Sequence, residues 1–208
     1  MRFRGFFLVL FFALCVVITI IVFPGHTGHP ATTTTTIKAP STTQRATPPS
    51  TTTTTVAPGN LPQTKAFPSA TDPVFLAHMR ELVSAVASDQ PKLALSAFFP
   101  LPAYIQVKAI ADPVNDWNVR LVADYGIDIG LAHKQLGPAA SSARFESVSI
   151  GAGPTWVKPG VELNKGSYWR VFGTVVYCKV GSVTRSFVIT SMISWRGEWY
   201  VVHLGVIR

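Results

Sequence analysis

Residues 167–207 read SYWRVFGTVVYCKVGSVTRSFVITSMISWRGEWYVVHLGVI. β-Branched and aromatic side chains recur there with a period of two on either side of two dipeptides, Gly181-Ser182 and Arg196-Gly197. Alternating runs separated by two-residue turn signals are strands joined by tight hairpins. The pattern predicts strands over 167–180, 183–195 and 198–207, and consecutive tight turns make them an antiparallel meander. One more strand is predicted over 144–150, where the alternation begins after Ala139-Ala140-Ser141-Ser142.

Ahead of these strands the apolar spacing is three to four. Asp72-Pro73 is a helix start, with Asp as N-cap and Pro at the first helical position. Phe75, Leu76, Met79, Leu82, Val83 and Val86 then form one apolar face, and the helix is expected to end near Ser88-Asp89. A short second helix is predicted with Pro91 in its first turn, carrying Leu93, Leu95, Ala97 and Phe98 and stopped by Pro100 and Pro102. The stretch 103–110 (AYIQVKAI) fits a strand or a helical turn. Asp112-Pro113 is another start signal, and Trp117, Leu121, Tyr125, Ile129 and Ala132 extend a long helix to about residue 135, closed by Gly137-Pro138. Gly126 and Gly130 inside it imply either the close approach of another backbone or a kink. Helices first and sheet second is an α+β domain with the helices on one face of the sheet.

The chain has 208 residues, 48% hydrophobic and 13% charged, enough for one ordinary domain. Residues 5–23 (GFFLVLFFALCVVITIIVF) carry no charge. As a helix they reach about 28 Å, close to a bilayer's hydrocarbon thickness. Arg2 and Arg4 precede the run and no basic residue follows before Lys38. The positive-inside rule therefore puts the N-terminus in the cytoplasm and the rest of the chain outside. The length of the run and the lack of a small-x-small site favour an uncleaved anchor over a signal peptide. From residue 24 to 71 the composition changes: 13 threonines lie between Ala31 and Asn60, with few large apolar residues to offset the entropy of ordering. This predicts a Thr/Pro-rich disordered stalk, bare or O-glycosylated, ahead of an extracytoplasmic domain at 72–208. The net charge of +8 lies mostly in the tail, since residues from Asp72 onward hold 13 basic and 10 acidic side chains. A nucleic-acid partner is not indicated.

The order of elements resembles the nuclear-transport-factor-2-like superfamily, in which helices pack into the concave face of a bent antiparallel sheet. The likeness is carried most by Ile193-Ser194-Trp195-Arg196-Gly197-Glu198-Trp199-Tyr200-Val201-Val202-His203-Leu204-Gly205. That hairpin is similar to the last one in membrane-anchored envelope proteins of actinobacteria, some with a Thr-rich stalk. The resemblance implies a cone-shaped fold and an envelope location for residues 72–208. It transfers no function, because the superfamily holds enzymes, binding modules and assembly subunits.

Catalytic and cofactor templates are missing: there is no H-E-x-x-H, G-x-S-x-G, Walker loop or G-x-G-x-x-G after a strand. No catalytic residue, metal or cofactor is therefore assigned. Gly151-Ala152-Gly153-Pro154 reads as a turn, because Pro154 lacks an amide that a phosphate would need. Cys15 lies in the apolar run and Cys178 on a strand, so no intrachain disulfide forms, and Cys178 reads as a buried small hydrophobe. Asp116, Arg120, Asp124 and Asp128 are four apart and share a helix face, either as a solvated stripe or turned toward a cavity with Tyr125 and His133. His203 alternates with Trp199, Val201, Gly205 and Ile207, and reads as a core histidine or, if that face lines a cavity, a ligand contact. The aromatics Tyr168, Trp169, Trp195, Trp199 and Tyr200 are core or a stacking platform. The candidate ligand contacts are Tyr125, Asp128, His133, Trp169 and His203.

Three functions fit this reading. The first is a membrane-anchored binding or interaction module for a small molecule or protein partner in the envelope. The second is a small-molecule enzyme with an Asp/His pair in its cavity, and the third a subunit of an envelope assembly. For the stalk, glycosylation predicts that deglycosylating the native protein increases its gel mobility; unchanged mobility leaves a bare spacer.

Overall fold

A computed structural model describes residues 56–207. The predicted membrane span at 5–23 and the stalk up to residue 55 lie outside them. Among the described residues no helix is long and apolar enough to cross a membrane.

Helix α1 (Pro73–Ser88) starts as its sequence dictates: the Asp72 carboxylate accepts from the Val74 and Phe75 amides at 2.8 and 3.2 Å. It ends at Asp89, which takes the left-handed conformation at φ +53°. Phe75, Met79, Leu82, Val83 and Val86 are buried, so the predicted apolar face is the packed one. The short helix expected next is a single 3₁₀ turn, Pro91–Ala94. The chain then extends along β5, where Phe99 N–H donates to the Val201 carbonyl and Val201 N–H to that of Ala97, each at 2.9 Å. Those bonds cover an edge that would otherwise expose unpaired backbone groups.

Pro100 and Pro102 begin the next element instead of only stopping the previous one. Pro100 is the N-cap of α2 (Leu101–Val107), so the ambiguous stretch is helical. Asp112 caps α3 (Pro113–Asn115) by accepting from Asn115 N–H at 2.9 Å. That turn widens into a π-helix over Asp116–Leu121 and continues as α4 (Val122–Leu136). Gly137, at φ +86°, closes it. What lies close to Gly126 and Gly130 is not another backbone but the side chains of Pro91 and Asp89.

The sheet has the order β1 (Arg144–Ser149), β3 (Tyr168–Val180), β4 (Val183–Trp195), β5 (Glu198–His203), all antiparallel. Both tight hairpins form where expected. Gly181 has φ +61°, and Arg196 and Gly197 have φ +54° and +85°, the pair of positive values that a type I′ turn needs. β5 ends at His203, short of the expected 207. A strand not foreseen, β2 (Thr155–Val157), pairs with β3 beyond the end of β1. The Gly151–Pro154 stretch steps the chain from β1 to β2, and a Cβ at Gly151 would overlap the Phe172 carbonyl. The molecule is thus α+β, with helices preceding an antiparallel sheet. Cys178 is buried, as a small core hydrophobe should be, and burial pushes its thiol pKa up.

The packed region begins before residue 72. Trp195 Nε1 donates to the Pro58 carbonyl at 2.9 Å, Gln63 Nε2 to Ser194 O at 2.9 Å, and Trp169 Nε1 to Lys65 O at 3.2 Å. Residues 58–67 therefore form a strap held mainly through backbone carbonyls, which composition alone assigns to a stalk. Replacing Asp72→Ala removes two hydrogen bonds to the first turn of α1 and is expected to cost about 1 kcal/mol, read as a lower urea midpoint at unchanged m-value.

Candidate functional site

One end of the sheet carries a recess of about 230 Å³. Its floor is made by alternate residues of β3 (Tyr168, Arg170, Phe172) and their partners Ser191 and Ile193 on β4. Tyr104, Val107 and Lys108 at the end of α2, and Arg120 and Leu121 on the π-helical turn, form the wall. Further along the same side of the strands Thr174, Val176, Cys178, Phe187 and Ile189 are buried.

Two similar polar units border the recess, one at the wall and one at the floor. In one, Arg120 Nε and Nη2 both bond the Asp116 carboxylate at 2.7 Å, and Tyr104 OH donates to the same group at 2.5 Å. In the other, Arg170 pairs with Glu162 while Tyr168 OH donates to Glu162 at 2.7 Å. Each carboxylate is thus matched by one guanidinium and one phenol, the charge-assisted arrangement that offsets desolvation. The Arg120 hydrogen bond, aided by Tyr104, holds the Asp116 carboxyl below its usual range against the opposing effect of burial. Burial raises the Tyr104 phenol, with Asp116 adding to it, and burial also pushes Tyr168 up to about 12, so both remain donors at neutral pH. Lys108 is different. Its ammonium donates to the Glu162 backbone carbonyl at 2.9 Å, and among the described residues no carboxylate forms an ion pair with it. Burial lowers its pKa. Arg170 Nε is buried without a hydrogen-bond partner among the described residues.

His203 reaches this recess through a backbone irregularity. Ser191 pairs with His203 but Met192 with Val201, leaving Val202 as an extra residue on β5. A bulge re-aims the side chains that follow it, and Val202 and His203 both line the recess. His203 has therefore left the face of Trp199 and Val201 to which simple alternation assigns it. Burial lowers its pKa below 6.5; Arg120 lowers it further, while Asp124 and Asp128 oppose. The acidic helix row is accordingly not a solvated stripe. Arg120 is in the recess wall, and Asp128 is buried with its carboxylate accepting the Gly205 N–H at 2.8 Å.

The other sequence candidates lie apart from the recess. Tyr125 is 1% exposed, stacks on Phe98 and donates to the Ala94 carbonyl at 3.0 Å, which makes it a core residue. His133 Nδ1 bonds the Val86 carbonyl at 2.8 Å and ties α4 to α1. Trp169 packs edge-on against Phe67 and Trp156 under the strap. Asp128 borders a second, shallower depression between α4 and β4. Of the five, His203 alone lines the recess. Tyr104, Lys108, Glu162 and Arg170 were missed, and only Arg170, by its alternation with Tyr168 and Phe172, carried a signal in the sequence. Compared with family models, curated proteins and solved structures, the chain matches none.

The direction of the His203 shift fixes a pH dependence. The unfolded imidazole titrates near 6.5 and the folded one lower, so between those values protons bind the unfolded chain preferentially. The stabilisation is complete above pH 6.5 and is lost as pH falls through the folded pKa. The thermal midpoint is expected to drop as pH falls below 6.5, and to drop less in His203→Gln; equal pH profiles would refute the assignment.

Proposed function

We propose that this chain is a binding module, held outside a membrane by an N-terminal anchor and a Thr/Pro-rich stalk, whose small-molecule site is the recess between α2, the π-helical turn and β3–β5. We read the domain as a cone of the nuclear-transport-factor-2-like kind with this recess at its mouth. The observation that carries the ligand site is convergence. Tyr104, Lys108, Arg120, Tyr168, Arg170 and His203 come from four separate elements to one concavity that also has apolar walls. A few polar groups set among apolar ones in a recess is the usual composition of a small-molecule site. The anchor and its orientation rest on the uncharged run at 5–23 and on Arg2 and Arg4.

A second reading, an enzyme with an Asp/His pair, draws on His203 lying in the recess within the field of Asp124 and Asp128. The binding module stands ahead of it because the Asp128 carboxylate is engaged by Gly205 N–H.

Native mass spectrometry of the full-length protein extracted from membranes tests the site. Wild type is expected to retain a bound small molecule, and Val202→Trp, which puts an indole into the recess, to lose it. A wild-type protein that is empty and takes up no compound from a fragment mixture would overturn the reading.

A further inference from the structure

The ionic groups around the recess do not balance. Asp116 is matched by Arg120 and Glu162 by Arg170, each with a phenol as second donor. Lys108 remains, its ammonium directed at a neutral backbone carbonyl and with no carboxylate in ion-pairing range among the described residues. Asp116 acts on Lys108 only from beyond contact distance and is already engaged by Arg120; a half-buried cation without a direct ion-pair partner is costly, and a ligand carrying one negative charge would reduce that cost. On the recess floor the Nε of Arg170, whose Nη1 pairs with Glu162, is buried and has no hydrogen-bond acceptor among the described residues. Beside Lys108 the lining turns apolar, with Val107, Leu121 and Ile193.

We propose that the ligand of this recess is a small organic monoanion whose carboxylate, or an equivalent single negative charge, pairs with Lys108 while its apolar body lies on Val107, Leu121 and Ile193. The proposal rests on the recess being a ligand site at all. A neutral His203 beside it supplies one further donor or acceptor for a polar substituent. With Asp116 and Glu162 already matched by Arg120 and Arg170, Lys108 leaves one positive charge to be balanced, which a single negative charge on the ligand supplies.

The test compares three probes of one shape and different charge, hexanoate, hexanamide and hexylammonium, titrated calorimetrically into the full-length chain in detergent. Val202→Trp serves as the blank for partitioning into micelles. Hexanoate is expected to bind at least tenfold more tightly than hexanamide, with hexylammonium at the blank level. Lys108→Met should erase the preference and Lys108→Arg keep it. Equal binding of hexanoate and hexanamide, or preference for hexylammonium, would overturn the monoanion assignment while leaving the recess as a ligand site. No probe binding above the blank would overturn both. A hexanoate preference that survives Lys108→Met would remove Lys108 from its role. The wild-type comparison decides the charge class even if a Lys108 variant does not fold.

Discussion

The rest of the structure hangs on the β3–β4 ladder, whose register is unbroken from Arg170 opposite Ile193 to Val180 opposite Val183. The Gly181-Ser182 turn sets that register, and a slip of one residue would send every side chain to the opposite face. Tyr168, Arg170, Ser191 and Ile193 would leave the recess together, and Val176, Phe187 and Ile189 would leave the core. β1 and β2 attach end to end along the free edge of β3, and β5 along that of β4. The outer edge of β5 is in turn closed by residues 97–99. The long hairpin therefore fixes both the hydrophobic packing and the floor of the site.

The recess shows how ionisable groups are kept near an apolar core. Two guanidiniums, two carboxylates and two phenols are arranged so that each carboxylate has both a charge partner and a neutral donor. A buried ion pair of this type adds little net stability over an apolar replacement, but removing one member leaves an uncompensated charge. Its effect is to hold Tyr104, Arg120, Tyr168 and Arg170 in fixed orientations around a small volume. Lys108 lacks such a partner, and that asymmetry gives the recess its chemical character.

Much of the secondary structure was legible because its causes are local. Asp72-Pro73 and Asp112-Pro113 start helices through capping bonds within three residues, and Gly137 ends one through its own backbone freedom. The 3.6-residue periodicity of α1 and the alternation of β3 and β4 report which face is buried. The less legible parts were those stabilised from a distance. Residues 58–67 have a loop-like composition and are held by Trp195, Gln63 and Trp169 contacts with the sheet. β2 is only three residues long, too short for periodicity, and exists through β3.

The site divides along the same line. Tyr125 and His133 lie near the acidic row on α4, yet the packing of α4 against α1 and the turn after it gives them the backbone carbonyls of Ala94 and Val86 as partners. His203 was recognisable as a candidate, but its entry into the recess depends on the bulge at Val202, a feature of strand pairing that period-two reasoning does not contain. Tyr104, Lys108 and Glu162 meet only through folding, since they come from a short helix and an irregular loop far apart in the chain. The sequence by itself determined where helices and hairpins begin and end, because caps, turns and periodicity act over a few residues. Only the tertiary structure decided which charges face one another and which stays unmatched, because electrostatic pairing depends on distance in space rather than along the chain.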